Sequence, residues 1–593
     1  MLKLLKEYKF DFISIFLITL IFTVLSYFFA NHLINIMIDF GREVYFPELM
    51  LKGNLLYKDL FNIFGPLGYQ INAWLFSLFG AKQTTLAIAG NFCSILILYS
   101  VYFISRIFQG AKISFFTTLF VLVACVFSPS VFNFIYPYSY SLLYSYTAFM
   151  CSVLFFLIGF KLKDYKFFDF YIMLSFFMIG ISLAAKFEYL PFAFLMVLYC
   201  IFVFKQNILK FLLNFLSMLF VPIISYSSLL YQGVDISDLI KNFNYMKLFV
   251  HSDGFYYFYS HIVGTLPSLD LLNKFIPFDF VVTIGFIILC TIVYFSVVMS
   301  TDKPKIFKPE YFIIAVCLIL PVWKSVLQIF LLIPYFIYVI FIYELVFKIK
   351  NKKFNFAEDI FFVLLCISMI SMIKTAFILD MNIYGPYTVT LPLIAIISFI
   401  TTNVPKTKLN ILKVDVENLL ATFLMIFVIS VGYTSYNNLS EKTSLISNDK
   451  VEVFMRPVIA KSVRELLSYI DKNIGADESL LFIPDGAFIN FMTDIDMKLY
   501  NYQSLIPPYV EVFGIDKIIA DIKKEKIDNI VLSSRSSVEY NGGKYICKPL
   551  NSKMQDDYTQ RKEEKMLCDY IRSNYNIAEI INKGYIFEIY KRK

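Results

Sequence analysis

The chain is organised by long apolar runs broken by short polar stretches. About 20 consecutive apolar residues are needed to cross the hydrocarbon core of a bilayer. Runs that approach or meet this length fall at 12–30, 84–105, 113–128, 141–160, 169–185, 189–204, 211–230, 276–299, 311–323, 326–347, 359–378, 389–402 and 418–434. The pattern therefore predicts about 13 transmembrane helices, the shorter ones shielded inside a bundle. After residue 434 the pattern changes. "AKSVRELLSYIDKNI" and "IDKIIADIKKEK" repeat apolar positions at helical spacing, while "SLLFIP" and "IDNIVLSS" read as short buried strands. The final "YNIAEIINKGYIFEIYKRK" reads as two strands joined at Asn582–Gly584. The expected fold class is an all-α polytopic membrane bundle over residues 1–434 followed by a small α/β domain over 435–593.

Composition agrees with that division. Of the 593 residues, 58% are hydrophobic and 17% charged, below the roughly 25% charged of soluble domains. Basic residues collect in alternate loops: Lys3/Lys6/Lys9, Arg106/Lys112, Lys161/Lys163/Lys166, Lys205/Lys210, Lys303/Lys305/Lys308, Lys348/Lys350/Lys352/Lys353 and Lys406/Lys408/Lys413. By the positive-inside rule these loops are cytoplasmic, so the N-terminus is inside and the C-terminal domain is extracytoplasmic. The expected location is the cell inner or plasma membrane. The first span has no small-residue cleavage pattern after it and reads as a retained anchor. The net charge of +8 is ordinary for such loops and gives no reason to invoke nucleic acid. Seven cysteines sit singly in apolar runs. Cys547 and Cys568 alone lie in polar sequence, by chance placement or as a disulfide in an oxidising compartment. The three histidines lack ligand spacing, so no metal or cofactor site is assigned.

The outer loops contain more charge than linkers require. The first, residues 31–83, includes "IDFGREVYFPELMLKGNLLYKDLFNIFGPLGY", with Asp39, Arg42, Glu43, Lys58 and Asp59. Its segments "FPELMLKGNLLY" and "LGYQINAWLFSLFG" read as interfacial helices, holding Asp39 at the end of the first span and Asp59 in the next turn. "AAKFEYLP" contributes Lys186 and Glu188, and "PVWKS" contributes Lys324. "KTAFILDMNIYGPYTVTLP" adds Lys374, Asp380, Tyr384 and Tyr387 around a Gly-Pro turn. Carboxylates and cations at one depth suit transfer of a sugar from a lipid-linked phosphate. A positioned carboxylate takes the proton of the acceptor hydroxyl, and fixed positive charge meets the departing phosphate. Asp39 would serve as the base; Arg42, Lys58, Lys186, Lys324 and Lys374 are candidates for the phosphate. Plainer roles stand beside these. Juxtamembrane lysines snorkel to headgroups, interfacial tyrosines form belts, and Glu188 would pair with Lys186. Asp39 with Arg42 and Glu43 would form a local salt-bridge cluster. The D-x-D at Asp494 and Asp496 is read as a turn.

The first loop, with "LFSLFGAKQTTLAIAGNFCSILILYSVYFISRIF", "GISLAAKFEYLP" and the tail's "LFIPDGAFINFMTDIDMKLYNYQSLIPPY", resembles bacterial GT-C superfamily glycosyltransferases of the family 39 type. These are relatives of protein O-mannosyltransferases and of the lipid A aminoarabinose transferase. The resemblance implies a multi-span bundle with an outward cavity, inversion at the anomeric carbon, and a polyprenyl-phosphate-linked sugar as donor. It places Asp39 at the catalytic first-loop carboxylate and Asp59 at a second acidic or polar position. "FGPLGY" stands where the aminoarabinose transferase has Lys-Pro-Pro, leaving Lys58 as a nearby substitute. "ILDMNIYGPY" stands where some relatives have an arginine, a role that would fall to Lys374 or Tyr384. The acceptor would be an envelope glycan, lipid or protein at the bilayer. A flippase or exporter of lipid-linked sugars, and a non-catalytic envelope scaffold, are the competing functions. The first predicts charges deep in the spans and an internal repeat, neither of which is evident.

Overall fold

A computed structural model describes residues 9–266, 330–350, 359–403, 416–502, 504–533 and 562–593. The expected spans at 276–299 and 311–323, together with Lys324 and Cys547, lie outside the described residues. The bundle opens with α1 (Lys9–Phe29), whose Ser14, Ile18 and Phe22 recur every four residues and form the inward stripe. Phe10, Phe12, Phe16 and Leu20 are exposed on the other side. Outside a bilayer such a face would be unfavourable; in lipid it is the expected surface.

The first loop follows as α2 (Phe40–Leu51) and α3 (Leu67–Phe79). Here the structure departs from expectation. Asp39 does not close the first span: that helix ends at Phe29, and Asp39 stands at the start of α2, which begins ahead of the "FPELM" segment. Polar Asn31, His32 and Asn35 with Ile34 intervene, and aromatic spacing alone does not reveal the break. The helix α2 is more buried than an interfacial position requires, being covered from residue 40 to residue 49, whereas α3 leaves Trp74, Leu78 and Phe79 exposed, the apolar face of an interfacial helix.

The bundle continues through α4 (Gln83–Phe108), α5 (Ala111–Val121), α6 (Tyr140–Lys161), α7 (Phe168–Ala185), α8 (Leu190–Leu198) and α9 (Ile208–Gln232). Two loop helices, α10 (Ile236–His251) and α11 (Asp253–Phe258), precede α12 (Ile333–Lys350) and α13 (Ile360–Ser371). The short α14 (Gly385–Thr388), then α15 (Thr390–Asn403) and α16 (Val416–Ser440), complete it. Among the described residues seven helices are long and apolar enough to cross a membrane, and four more apolar helices are shorter. The protein is a multi-pass helical bundle. Its long helix α16 runs to Ser440, past the boundary read at residue 434.

The C-terminal region is α/β as expected. A two-stranded antiparallel ribbon, β1 (Ser444–Ser447) and β2 (Glu452–Met455), leads to α17 (Pro457–Asn473). Next come β3 (Leu480–Ile483), α18 (Ala487–Thr493), α19 (Pro507–Phe513), α20 (Ile515–Lys524) and β4 (Asn529–Ser533). The last elements are α21 (Lys562–Asn574), β5 (Tyr575–Asn582) and β6 (Ile586–Arg592). The sheet order is β3-β4-β6-β5, with β3 and β4 parallel and β5/β6 an antiparallel hairpin. Every side chain of "LLFI" in β3 is buried, the uniform apolar run of a strand covered on both faces. Cys568 is disulfide-bonded.

This region is not a loosely tethered module. One continuous apolar cluster joins Phe40, Phe46 and Phe76 of the first loop to Phe488 and Phe491 of α18. Gly41 lies so close to α18 that a Cβ there would run into the backbone of Phe488. At the rim, Lys450 bonds Glu48 at 2.8 Å and pairs with Asp494, while Lys52 adds a 3.1 Å contact to Glu48. The D-x-D is a turn, with Asp494 left-handed at the end of α18 (φ 57°).

Candidate functional site

Asp39 holds its backbone at φ 43°, a conformation that costs a non-glycine residue about 1–3 kcal/mol. Its side chain accepts no capping hydrogen bond from α2. Instead the carboxylate lines a cleft with Ile36, Gly41, Arg42 and, from the C-terminal region, Asp485, Ala487 and Ser504. Arg42 reaches back to it at 3.6 Å. The guanidinium is buried. It donates to Glu43 Oε1 at 3.1 Å and to the Tyr138 carbonyl at 3.2 Å.

Glu43 is enclosed. Its Oε1 also accepts from the Tyr69 hydroxyl at 2.8 Å, and its Oε2 accepts from the Tyr140 N–H at 2.7 Å. Burial raises its pKa above the usual carboxylate range, against the pull of Arg42 and those hydrogen bonds. With its acceptors satisfied, Glu43 is the strut that fixes Arg42.

The second half of the site rests on "FGP". The Gly65 N–H donates to the Ala185 carbonyl at 3.0 Å, and a Cβ on Gly65 would collide with the Ala184 carbonyl. Only glycine permits this approach, which seats Phe64 between two cations: Arg42 lies 5.2 Å and Lys186 4.5 Å from the ring centroid. The α7 span stops at Ala185, so Lys186 stands at its end. Its Nζ donates to the Tyr138 hydroxyl at 3.0 Å and pairs with Glu188 Oε1 at 2.5 Å. Lys374, on the turn after α13, pairs with the same oxygen of Glu188. The Lys374 ammonium lies 4.3 Å from the Tyr384 ring centroid and 5.8 Å from that of Tyr259. Tyr384 meets the Tyr138 hydroxyl at 3.0 Å and the Tyr259 hydroxyl at 3.3 Å.

Two ammonium groups thus share one carboxylate, and one positive charge is left over. Burial, with repulsion from Lys374 and Arg42, pulls Lys186 down to about 7 despite Glu188. Burial opposes charge on Lys374 too. Glu188 outweighs it, assisted by Tyr259 and Tyr384, so that lysine is raised above its ordinary value. On Lys186 burial and the repulsion of Lys374 and Arg42 prevail over Glu188, whereas on Lys374 the attraction of Glu188 prevails over burial.

The other expected residues lie apart from this cluster. Asp59 caps its own exposed turn, accepting from the Leu55 N–H at 2.8 Å, and Lys58 donates to the Gly233 carbonyl at 3.1 Å. Asp380 accepts from the Asn382 N–H at 2.8 Å within a turn. Tyr387 is buried beneath the site, donating to the Asn133 carbonyl at 3.2 Å. Residues not singled out in the sequence complete the arrangement: Phe64, Tyr138, Tyr259, Asp485 and Tyr509, whose hydroxyl lies against Arg42 and within electrostatic reach of Asp39 and Asp485. Among the described residues no group of His, Cys, Asp and Glu is arranged to hold a metal.

No family model and no curated protein matches the chain. Among solved structures it is similar to the apo oligosaccharyltransferase of Archaeoglobus fulgidus, with a TM-score of 0.49 at 10% identity, over 89% of this chain and 70% of that one. It is similar to ArnT from Cupriavidus metallidurans bound to undecaprenyl phosphate, with a TM-score of 0.46 at 10% identity, over 97% of each chain. A third similarity is to Archaeoglobus fulgidus AglB in complex with an inhibitory peptide and a dolichol-phosphate, with a TM-score of 0.45 at 10% identity, over 89% of this chain and 70% of that one. At that identity the similarity is one of chain path, and no residue role passes with it.

Proposed function

We propose that the protein is a membrane glycosyltransferase. It moves a sugar from a polyprenyl-phosphate-linked donor to a cell-envelope acceptor on the outer face, with inversion. The observation that carries this reading is the meeting of a cleft-facing carboxylate, Asp39, with three cations on one aromatic scaffold: Arg42, Lys186 and Lys374. The resemblance of the first loop supports it from the sequence.

The chemistry follows from charge. The donor phosphate is anionic, and the lysine pair has one positive charge in excess of Glu188. The phosphate oxygens would take hydrogen bonds from Lys186 and Lys374 and from the Tyr384 hydroxyl as negative charge builds on the leaving group. The acceptor hydroxyl attacks the anomeric carbon from the opposite side while Asp39 takes its proton. One C–O bond forms, the C–O bond to phosphate breaks, and the configuration inverts. Arg42, fixed by Glu43, spans the interval between base and leaving group.

Purified full-length protein in proteoliposomes, given polyprenyl-phosphate sugars and an envelope extract, tests this directly. Donor consumption with sugar appearing on an acceptor is expected. Movement of intact donor across the bilayer without consumption would identify a flippase instead.

A further inference from the structure

Tyr259 touches two members of the cationic half of the site. Its hydroxyl lies 3.3 Å from that of Tyr384, and the Lys374 ammonium stands 5.8 Å from its ring centroid. Tyr138 flanks the Tyr384 hydroxyl at 3.0 Å, so that hydroxyl has one phenol from the buried bundle and one from a loop as neighbours. Tyr259 itself is half-buried and opens the π turn (Tyr259–Val263) that follows α11. Beyond it the chain is laced to the turn that carries Lys374. The Gly264 carbonyl accepts from the Phe377 N–H at 2.9 Å, and the Thr265 hydroxyl donates to the Lys374 carbonyl. Gly264 holds φ 81° against Ile378, where a Cβ would collide.

The near end of this segment is anchored on the C-terminal region. The N–H groups of Asp253 and Gly254, at the start of α11, donate to the two carboxylate oxygens of Glu511 at 2.8 and 3.3 Å. Unpaired N–H groups at a helix start favour an anion, and here it comes from 258 residues away. Aromatic rings extend the contact. Tyr509 meets Phe249 at 4.8 Å, Phe249 meets Phe255 at 5.4 Å, and Phe255 stacks on Tyr259 at 4.1 Å. Glu511 and Tyr509 both belong to α19, whose Tyr509 also lies against Arg42. One short helix of the C-terminal region therefore reaches both halves of the site.

Resting on the donor placement of the glycosyltransferase reading, we infer that Tyr259 is a positioning residue for the donor phosphate, aligning the Tyr384 hydroxyl and the Lys374 ammonium, and that Glu511 sets it in place through α11. A rotation of α11 released from Glu511 would carry the Tyr259 ring away from Lys374. The C-terminal region thereby governs affinity for the donor.

The test measures binding of undecaprenyl phosphate to full-length protein in detergent by native mass spectrometry, and turnover of polyprenyl-phosphate sugars in proteoliposomes with envelope extract. Tyr259→Phe keeps the ring and is expected to weaken undecaprenyl phosphate binding about threefold, as for a neutral hydrogen bond. Tyr259→Leu also loses the cation–ring contact and is expected to weaken it about tenfold. Glu511→Ala should weaken it about threefold, the scale of a lost helix cap, with acceptor KM unchanged. In the Tyr259→Leu protein, Glu511→Ala should weaken binding no further, because Glu511 acts through Tyr259. A merely structural Glu511 would instead add its effect to that of Tyr259→Leu. Unaltered binding in either Tyr259 variant, additive effects in the double variant, or an acceptor KM that rises in step with the donor KM overturns the assignment. Tyr259→Phe, which removes a single oxygen, decides the matter if a larger change abolishes the melting transition. Wild type that fails to bind undecaprenyl phosphate also overturns it. Binding that responds as expected, without donor turnover, upholds Tyr259 and overturns the glycosyltransferase reading instead.

Discussion

Lys186 and Lys374 close on one carboxylate oxygen, Oε1 of Glu188, from the ends of two different helices. A lone buried ion pair would be neutral. This triad has a positive charge to spare, and its pH response is correspondingly unequal.

Donor affinity should fall as pH rises through about 7, where Lys186 gives up its proton. The donor KM should increase by up to about tenfold per pH unit above that point. Stability should move the other way. Lys186 titrates lower in the folded protein than in the unfolded chain, so the unfolded state binds more protons between pH 7 and the ordinary lysine range, and stability rises across that window. Lys374, shifted upward, reverses the trend only beyond it. KM profiles and melting curves against pH check both limbs. Lys186→Arg, with a guanidinium that stays charged, should flatten the KM profile.

Asp39→Asn should lower sugar transfer by roughly a hundred- to ten-thousandfold, the usual contribution of a positioned general base. The melting temperature should barely move. Asparagine tolerates a positive φ, and Arg42 keeps Glu43 and Tyr138. Retained transfer would remove Asp39 from the mechanism.

Glu43→Gln should behave in the opposite sense. Replacing the carboxylate leaves the buried Arg42 short of countercharge and sets an amide against donors from Tyr69, Arg42 and Tyr140. A loss of about 3 kcal/mol is expected, as for breaking a buried ion pair, visible as reduced thermal stability in detergent. Activity should fall because the protein unfolds, and should recover in part at lower assay temperature.

Gly65→Ala should separate the two halves of the site. The added methyl must push the "FGP" segment away from the Ala184 carbonyl, and Phe64 moves with it. Overpacking of this kind costs about 1–3 kcal/mol. Donor KM should rise more than acceptor KM, since Lys186 loses its ring while the cleft in front of Asp39 keeps both walls. Equal changes in the two constants would contradict that placement.

Much of the architecture was legible because it depends on local pattern. Apolar runs marked the spans, and uniform or alternating short runs marked β3, β4 and the β5/β6 hairpin. Of the site, Asp39, Arg42, Lys186, Glu188, Lys374 and Tyr384 were visible as chemistry out of place beside lipid. Their grouping was not. Glu188 between two lysines is a contact between segments far apart in sequence, and no periodicity encodes it. Phe64 and Tyr138 read as two more aromatics in a chain that has 67 Phe and 42 Tyr. Lys58 and Asp59 carry the same charges as their neighbours but face outward, a distinction made by the fold of the turn and not by residue type. Asp485 was hidden because it sits in the region that reads as a separate domain.

The absence of a side chain at Gly41, where α18 presses against α2, also bears on the order of synthesis. The helix that carries Asp39 emerges early; its cover is among the later parts of the chain to be made. Until then only part of its apolar face is covered, by Tyr69 and Tyr136, and a nascent chain halted short of Phe488 would lack one wall of the cleft in front of Asp39. If the protein transfers sugar as proposed, that transfer should therefore appear only once the C-terminal region has been made.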